Sequence, residues 1–246
     1  MTGSIRLHVA DALAEGSLVT ATSAQAHYLA NVMRRGPGDA VLLFNGRDGE
    51  WHAHLAETGK RTLTATVGAR HRAQPPASDL HFLFAPLKRA RLDYLVQRAV
   101  EMGASRLYPV ITRHTQVARV NLERMRANVI EAAEQCGIVA LADVAEPAAF
   151  HGAIAALEDE RLLVFCDEAA EVQDPVAALV AARRAGASLA VLIGPEGGFA
   201  AEERAALLNR PNVVRIALGP RILRADTAAV AALALVQAVL GDWGRA

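Results

Sequence analysis

From residue 80 onward, short apolar runs alternate with amphipathic segments, and this alternation constrains the fold more than any other feature of the chain. The apolar runs are almost uninterrupted by polar side chains, as is typical of strands that are buried on both faces of a sheet. The segments between them have the spacing of helices that cover such a sheet. The pattern therefore predicts an α/β domain built on a parallel sheet. The predicted strands are 80–86, 106–112, 161–168, 188–195 and 213–219, and the predicted helices are 89–104, 121–137, 174–185, 200–209 and 227–240.

The first third of the chain has a different pattern, in which short alternating segments are separated by glycine-containing turns. These features predict β-hairpins and, taken together, a small β-barrel. One helix, 23–34, is predicted there with Ser23 as its N-cap. Because consecutive prolines interrupt both helix and sheet, Pro75-Pro76 marks a linker, and we predict two domains, 1–74 and 75–246. The predicted strands are 41–46, 50–58 and 62–70, and the turns are Asn45-Gly46, Asp48-Gly49 and Gly59-Lys60.

The charge of the chain is unevenly distributed, although 26 basic and 26 acidic side chains make the total zero. A neutral total argues against a polyanionic partner. Residues 1–130 carry 17 basic and 10 acidic side chains, residues 131–180 carry 1 and 11, and residues 181–246 carry 8 and 5. Two basic regions thus flank an acidic one, and such asymmetry is compatible with a nucleic-acid partner.

The composition disfavours a disordered chain, a disulfide-bonded scaffold, a metal-binding protein and a membrane-spanning protein. At 52% hydrophobic residues the chain has enough apolar surface for a core. The two cysteines, Cys136 and Cys166, have neither metal-ligand nor disulfide spacing. His52 and His54 share one strand face without an evident third ligand. The longest apolar stretch, 228–240, is too short to cross a bilayer. Since no signal peptide is recognised either, we expect a cytoplasmic protein without a metal.

The first candidate for a functional site is the segment LIGPEGGF, residues 192–199, which follows a predicted strand. Gly194, Gly197 and Gly198 permit close approaches that a Cβ would prevent. The helix predicted at 200–209 would direct its N-terminal amides back towards this loop. The spacing is neither a dinucleotide fingerprint nor a phosphate-binding loop with lysine. The loop is thus either a ligand-binding turn or an ordinary glycine-rich connection.

The second segment is ALGPRILRADTAAVAAL, residues 217–233, in which two arginines follow the end of a strand. Arg221 and Arg224 stand three residues apart, a placement that packing explains poorly. Asp226 or Thr227 is predicted to cap the long apolar helix that follows. The alternative is a solvated loop whose arginines pair with Asp226 or with helix C-termini.

The two segments together resemble the paired signature of the RsmE-type methyltransferases, which are members of the SPOUT class. Two departures stand out: the family commonly has glutamate where Asp226 stands, and arginine where Ile138 stands. Three further segments resemble the family, in the same order along the chain: HYLANVMRRGPGD (27–39), QRAVEMGASRLYPVITRHTQ (97–116) and EAAEQCG (131–137).

This resemblance implies a fold and an activity. Residues 1–74 would form a PUA-like β-barrel that holds RNA, and residues 75–246 a SPOUT α/β domain with a trefoil knot. The activity would be S-adenosyl-L-methionine-dependent methylation of N3 of a uridine in 16S ribosomal RNA. The partner would be this RNA or the small ribosomal subunit, bound by a homodimer in the cytoplasm, with no membrane and no metal.

The resemblance also implies site residues. Arg221 and Arg224 would stabilise the uracil anion that forms when N3 loses its proton. Glu196 would act either as a base or as a charge that offsets the sulfonium. The residues implied for cofactor binding are Leu192, Ile193, Gly194, Pro195, Glu196, Gly197, Gly198, Leu218, Gly219, Ile222, Leu223 and Thr227.

Five cations are candidates for contact with RNA: Arg34, Arg35, Lys88, Arg89 and Arg91. Cations are unfavourable at the start of a helix, so the last three favour a functional explanation. Two other functions remain open at this point. One is a non-catalytic RNA-binding protein with the same fold, and the other is a related enzyme that methylates the ribose 2′-hydroxyl.

Overall fold

A computed structural model of the chain describes residues 5–57, 63–117, 119–170, 174–184 and 186–243. Contacts divide the chain into two compact units. The N-terminal unit contains residues 1–77 and 130–141, and the C-terminal unit contains residues 78–129 and 142–246.

The N-terminal unit is built on a curled five-stranded sheet with the order β1-β3-β4-β5-β2. The β1–β3 pair is parallel, and the other pairs are antiparallel. Apolar side chains from all five strands and from the helix meet in one core. The hairpins and their curled sheet agree with the prediction, although β1 and β2 are too short to be recognised in the sequence. The predicted Gly59-Lys60 turn lies outside the described residues. The strands are β1 Arg6–His8, β2 Leu18–Thr20, β3 Ala40–Phe44, β4 Glu50–Glu57 and β5 Leu63–Arg72.

The helix of this unit differs from the prediction at both ends. It begins as α1, Ser23–His27, and continues as a π-helical turn, Tyr28–Val32. Its N-cap is Thr22 rather than Ser23, because the Thr22 hydroxyl accepts a hydrogen bond from the Gln25 amide while the Gln25 side chain accepts one from the Thr22 amide. Such a reciprocal box stabilises the earlier start.

The segment EAAEQCG, residues 131–137, which resembles the family motif, belongs to the N-terminal unit. It forms the second half of helix α3, Leu122–Cys136, and the residue after the helix. Arg6 donates to the backbone carbonyls of Ala133 and Glu134 near the end of this helix. A cation at that position compensates carbonyls that have no partner within the helix.

The C-terminal unit is a seven-stranded sheet in which every pairing is parallel, as predicted. Its order is β12-β10-β11-β6-β7-β8, with β9 paired to β7. Strands β6, β10 and β11 are almost wholly buried, which explains their near-continuous apolar sequences. The trefoil knot that the resemblance implies stays a prediction. The strands are β6 Leu80–Phe84, β7 Arg106–Ile111, β8 Asp143–Val144, β9 Ala148–Ala149, β10 Leu162–Cys166, β11 Leu189–Ile193 and β12 Val213–Ile216.

Helices flank this sheet close to the predicted positions, except that α4 was not predicted and that the start of the last helix needs correction. The last helix begins at Ala225, with Arg224 as its N-cap, so neither Asp226 nor Thr227 caps it. Asp226 lies inside the first turn, where its carboxylate binds an arginine of another helix. The helices are α2 Arg89–Glu101, α4 Phe150–Ala155, α5 Pro175–Ala181, α6 Ala201–Leu208 and α7 Ala225–Val239. Among the described residues, no helix is long and apolar enough to span a membrane.

Candidate active site

Three loops of the C-terminal unit meet at one edge of the parallel sheet. In the strand register, Cys166 at the end of β10 lies beside Ile193 at the end of β11 and Ile216 at the end of β12. The segments that follow these three residues enclose a cavity of about 430 Å³. This volume is within the range of small-molecule sites, and the carboxyl edge of a parallel sheet is where such folds bind ligands.

The cavity brings together most, but not all, of the predicted cofactor residues. Leu192 lies in the hydrophobic core under the sheet, Gly198 is buried behind the loop, and the Thr227 side chain is exposed on α7; these three are not among the lining residues. Ala217 and the segment 166–168, which is the loop after β10, line it as well. The predicted residues that do line it are Ile193, Gly194, Pro195, Glu196, Gly197, Leu218, Gly219, Arg221, Ile222 and Leu223.

Glycine is required in the loop after β11 for reasons visible in its packing. A Cβ on Gly194 would stand 2.8 Å from the Phe199 ring, which is 4% exposed and packs edge-on against Phe165. Gly198 has a φ of +69°, and a Cβ there would collide with the Glu168 carboxylate. The loop therefore follows a path that side chains would prevent.

The Gly194→Ala variant should be less stable than the parent by about 1–3 kcal/mol, the usual cost of overpacking a well-filled site. The Phe199 ring is held by Phe150 and Phe165, so it has little room to retreat. Gly152→Ala is the matched control: it lies in helix α4, and a Cβ there meets nothing within 4 Å. That control should be neutral or stabilising by up to about 1 kcal/mol. Urea unfolding measures both, and equal stabilities would contradict this account of the loop.

Arg221 and Arg224 are the uncommitted cations of the site. Both are exposed, and within the described part of the chain neither guanidinium has a hydrogen-bond or salt-bridge partner. Arg221 lines the cavity, whereas Arg224 stands at the start of α7 outside the lining. Ile222 between them is 90% exposed. The loop thus exposes two guanidinium groups and an apolar side chain, and of these Arg221 and Ile222 line the cavity.

Arg91 ties the glycine loop to the last helix. Its Nη1 lies 2.7 Å from Glu196 Oε1, and its Nε and Nη2 each lie 3.0 Å from one oxygen of Asp226. Hydrogen bonding from Arg91 lowers the pKa of Asp226 from its ordinary value. Sequence reasoning placed Arg91 among the RNA contacts and missed this network, because the paired residues are more than 100 positions apart.

A second network surrounds Asp167, which belongs to the segment that lines the cavity. This side chain is wholly buried and accepts hydrogen bonds from Arg204 at 2.9 Å and Arg215 at 2.8 Å. Burial by itself raises the pKa of Asp167, but the hydrogen bonds from Arg204, the Ala169 amide and Arg215 together outweigh burial, and the pKa is lowered overall. Burial also raises the pKa of the neighbouring Cys166 thiol to about 12. That thiol therefore stays protonated at neutral pH and is not a nucleophile.

The remaining predicted RNA contacts are distributed over both units. Arg34 and Arg35 are exposed after the helix of the N-terminal unit, and Arg34 has a left-handed φ of 52°. Lys88 is the N-cap of α2, and Arg89 is its first residue; both are exposed. Across the described residues no group of three or more His, Cys, Asp and Glu side chains has an arrangement that could hold a metal ion.

Comparison with known proteins decides the family. The model of an RNA methyltransferase domain matches residues 74–237, and that of an RNA methyltransferase PUA domain matches residues 21–68. The ribosomal RNA small subunit methyltransferase E of Rickettsia conorii is 30% identical over 94% of both chains. The chain belongs to the ribosomal RNA small subunit methyltransferase E family. The Synechocystis member of this family is 31% identical over 96% of this chain and 78% of its own length.

Solved structures of methyltransferases share the fold. The methyltransferase E of Neisseria gonorrhoeae, bound to S-adenosyl methionine, superposes with a TM-score of 0.83 at 25% identity and covers 98% of this chain and 100% of its own. A Legionella pneumophila methyltransferase in complex with the same cofactor has a TM-score of 0.81 at 25% identity, with coverage of 96% and 98%. The predicted RNA methyltransferase identity and α/β fold of this family member are therefore confirmed.

Proposed function

We propose that this methyltransferase E family member transfers a methyl group from S-adenosylmethionine to N3 of a uridine in 16S ribosomal RNA. The observation that carries the proposal is the cavity at the carboxyl edge of the sheet. Its lining combines a glycine-rich loop with Arg221, and Arg224 stands just outside it at the start of α7. Membership of the family indicates the class of reaction. The cavity has room for the cofactor, and its arginine can stabilise a negatively charged substrate.

The residues present fit the proposed cofactor. A Cβ on Gly219 would meet no atom within 4 Å, and the φ of this residue is +90°, so the backbone there can face a ligand directly. Leu218 and Leu223 supply apolar walls, as an adenine ring requires. Glu168 and Glu196 line the same cavity and supply negative charge. S-adenosylmethionine would provide an electrophilic methyl group on a positively charged sulfur.

Glu196 is best suited to offsetting positive charge. Its Oε1 is held by Arg91, and Arg91 is held in turn by both oxygens of Asp226. This geometry fixes where the carboxylate stands relative to Gly197 and the cavity. We therefore propose a charge-balancing role for Glu196 and a supporting role for Arg91.

Arg221 and Arg224 are proposed to act on the substrate. When uridine loses its N3 proton, negative charge spreads over N3 and the two flanking carbonyl oxygens. Guanidinium groups donate to such a planar, delocalised anion at two points. Because neither arginine is engaged by a described carboxylate, both are available for this contact, and they favour the base over a ribose hydroxyl as the acceptor.

The other elements of the proposal concern the RNA. Residues 1–74 would hold RNA and residues 75–246 would carry catalysis, in a cytoplasmic homodimer. Arg34, Arg35 and Arg89, together with Lys88, would contact phosphates, since exposed cations supply most of the affinity for RNA backbones. Knotting of the C-terminal domain belongs to the same proposal.

Two measurements, made one after the other, test the proposed function. Calorimetry should detect binding of S-adenosylmethionine to the purified chain, and the lack of binding would favour a non-catalytic RNA-binding protein. Small subunits lacking the modification should then gain one methyl group per 16S RNA, identified as N3-methyluridine by mass spectrometry of the nucleosides. A methyl group on ribose would overturn the substrate assignment, and subunits without added enzyme are the control.

A further inference from the structure

The loop after β7 packs against the glycine loop that lines the cavity, and His114 makes the contact. Its Nδ1 lies 3.1 Å from the carbonyl oxygen of Gly197 and 3.1 Å from that of Gly198. A carbonyl oxygen only accepts, so Nδ1 must carry the hydrogen. The tautomer of His114 is therefore fixed by the backbone of the glycine loop.

This contact clamps one peptide unit from both sides. The carbonyl of Gly197 faces His114, while the amide of Gly198, in the same peptide, donates to the Pro195 carbonyl at 2.9 Å. Rotation of that peptide by half a turn would break both hydrogen bonds. Glycines on either side leave little steric resistance to such a rotation, so hydrogen bonds must hold the orientation.

A second tie joins the same two loops a few residues away. Glu203 is 4% exposed, and its Oε1 accepts a hydrogen bond from the Arg113 amide at 2.8 Å. Its other oxygen accepts one from the Ala200 amide at 2.9 Å, at the start of α6. The buried Glu203 carboxylate thus joins Arg113, which precedes His114, to Ala200, which follows the glycine loop. His114 is consequently presented to the loop from a rigid support.

We infer that His114 is a positioning residue that holds the backbone of residues 194–198 in the form that receives the cofactor. It acts through Nδ1 alone, by orienting the peptide between Gly197 and Gly198. Gly197 lines the cavity, so the orientation of this peptide shapes the cofactor site directly. The identity of the ligand rests on the proposed function, but the effect on the loop does not.

The two ring nitrogens can be separated by substitution. An asparagine amide nitrogen stands close to the place of Nδ1, whereas a glutamine amide nitrogen stands close to that of Nε2. His114→Asn therefore keeps the donor to the glycine carbonyls. His114→Gln keeps only a donor near the position of Nε2. His114→Ala removes both. The histidine is exposed, so all three variants should fold, which thermal unfolding verifies.

We expect the Kd for S-adenosylmethionine to rise about tenfold in His114→Ala and His114→Gln, the size of effect that one or two lost hydrogen bonds produce. His114→Asn should stay within about twofold of the parent, and kcat at saturating cofactor should change little in any variant. Rescue by glutamine rather than asparagine, or a fall in kcat at unchanged Kd, would show that His114 acts through Nε2 on the substrate and overturn the inference.

Amide hydrogen exchange of residues 196–200 in the ligand-free chain gives an independent readout. Exchange should be faster than in the parent for His114→Ala and His114→Gln, and unchanged for His114→Asn. Unchanged exchange in all three variants would also overturn the inference. If the parent chain bound no S-adenosylmethionine, the proposed function would fail, while the exchange rates would still decide whether His114 holds the loop.

Discussion

We expect the Arg224→Ala variant to lose about a hundredfold or more in kcat, as happens when a donor to a developing anion is removed. Its Kd for S-adenosylmethionine should change by less than about threefold, because Arg224 lies outside the cavity lining. The side chain is exposed and has no described partner, so its removal should leave stability nearly unchanged. Calorimetry and methyl-transfer kinetics on the small subunit measure the two constants.

Arg183→Ala is the matched control for this variant. Arg183 is equally exposed, but it lies between α5 and the start of β11, at the opposite edge of the sheet from the cavity. Its removal changes the total charge of the chain by the same amount and should leave kcat within about twofold. If both variants lost activity equally, the loss would reflect general electrostatics, and Arg224 would leave the catalytic set.

The parts of the site that sequence reasoning predicted are those set by local chain chemistry. Buried parallel strands need continuous apolar sequence, so the runs ending at Cys166, Ile193 and Ile216 were recognisable. Because parallel strands end at one edge of the sheet, the loops that follow them meet there. Glycines in the loop after β11 marked close approaches, and the Phe199 ring and the Glu168 carboxylate are the groups that approach.

The parts that were missed depend on pairs distant in sequence. Arg91 was recognised as an unusual cation at a helix start, but its partners, Glu196 and Asp226, are brought to it only by the folded sheet. The same network explains the wrong prediction for the cap of α7, since Asp226 is committed to Arg91 and the helix begins earlier. The spacing of residues within one segment of the sequence cannot predict a contact between side chains more than 100 positions apart.

The largest effect on stability is expected at Asp167. We expect Asp167→Asn to lower the free energy of unfolding by about 3 kcal/mol, because breaking a buried ion pair leaves the partner charges uncompensated. The carboxylate is fully buried, and it accepts from both Arg204 and Arg215. The amide is nearly isosteric, so the variant removes charge without opening a cavity. Urea unfolding at neutral pH measures the difference.

Glu168→Gln serves as the control because it neutralises the adjacent carboxylate. Glu168 has a half-exposed side chain and lies 3.9 Å from Arg204, so its loss should cost no more than about 1 kcal/mol, as for surface ion pairs. A similar cost for both variants would contradict the assignment of a special role to the buried carboxylate.

The pH dependence supplies the decisive check on Asp167. Its folded-state pKa lies below the ordinary value of 3.8, so its contribution to stability is fully present above that value. The contribution is lost as the pH falls through the lowered pKa, where the folded carboxylate takes up a proton. The gap in unfolding free energy between the parent and Asp167→Asn should therefore be constant from about pH 5 upward and should narrow as the pH falls from 3.8 through the lowered pKa. A gap that stayed constant into strong acid would mean that the asparagine acts through packing, because only the loss of a charge can vanish when the parent itself is protonated.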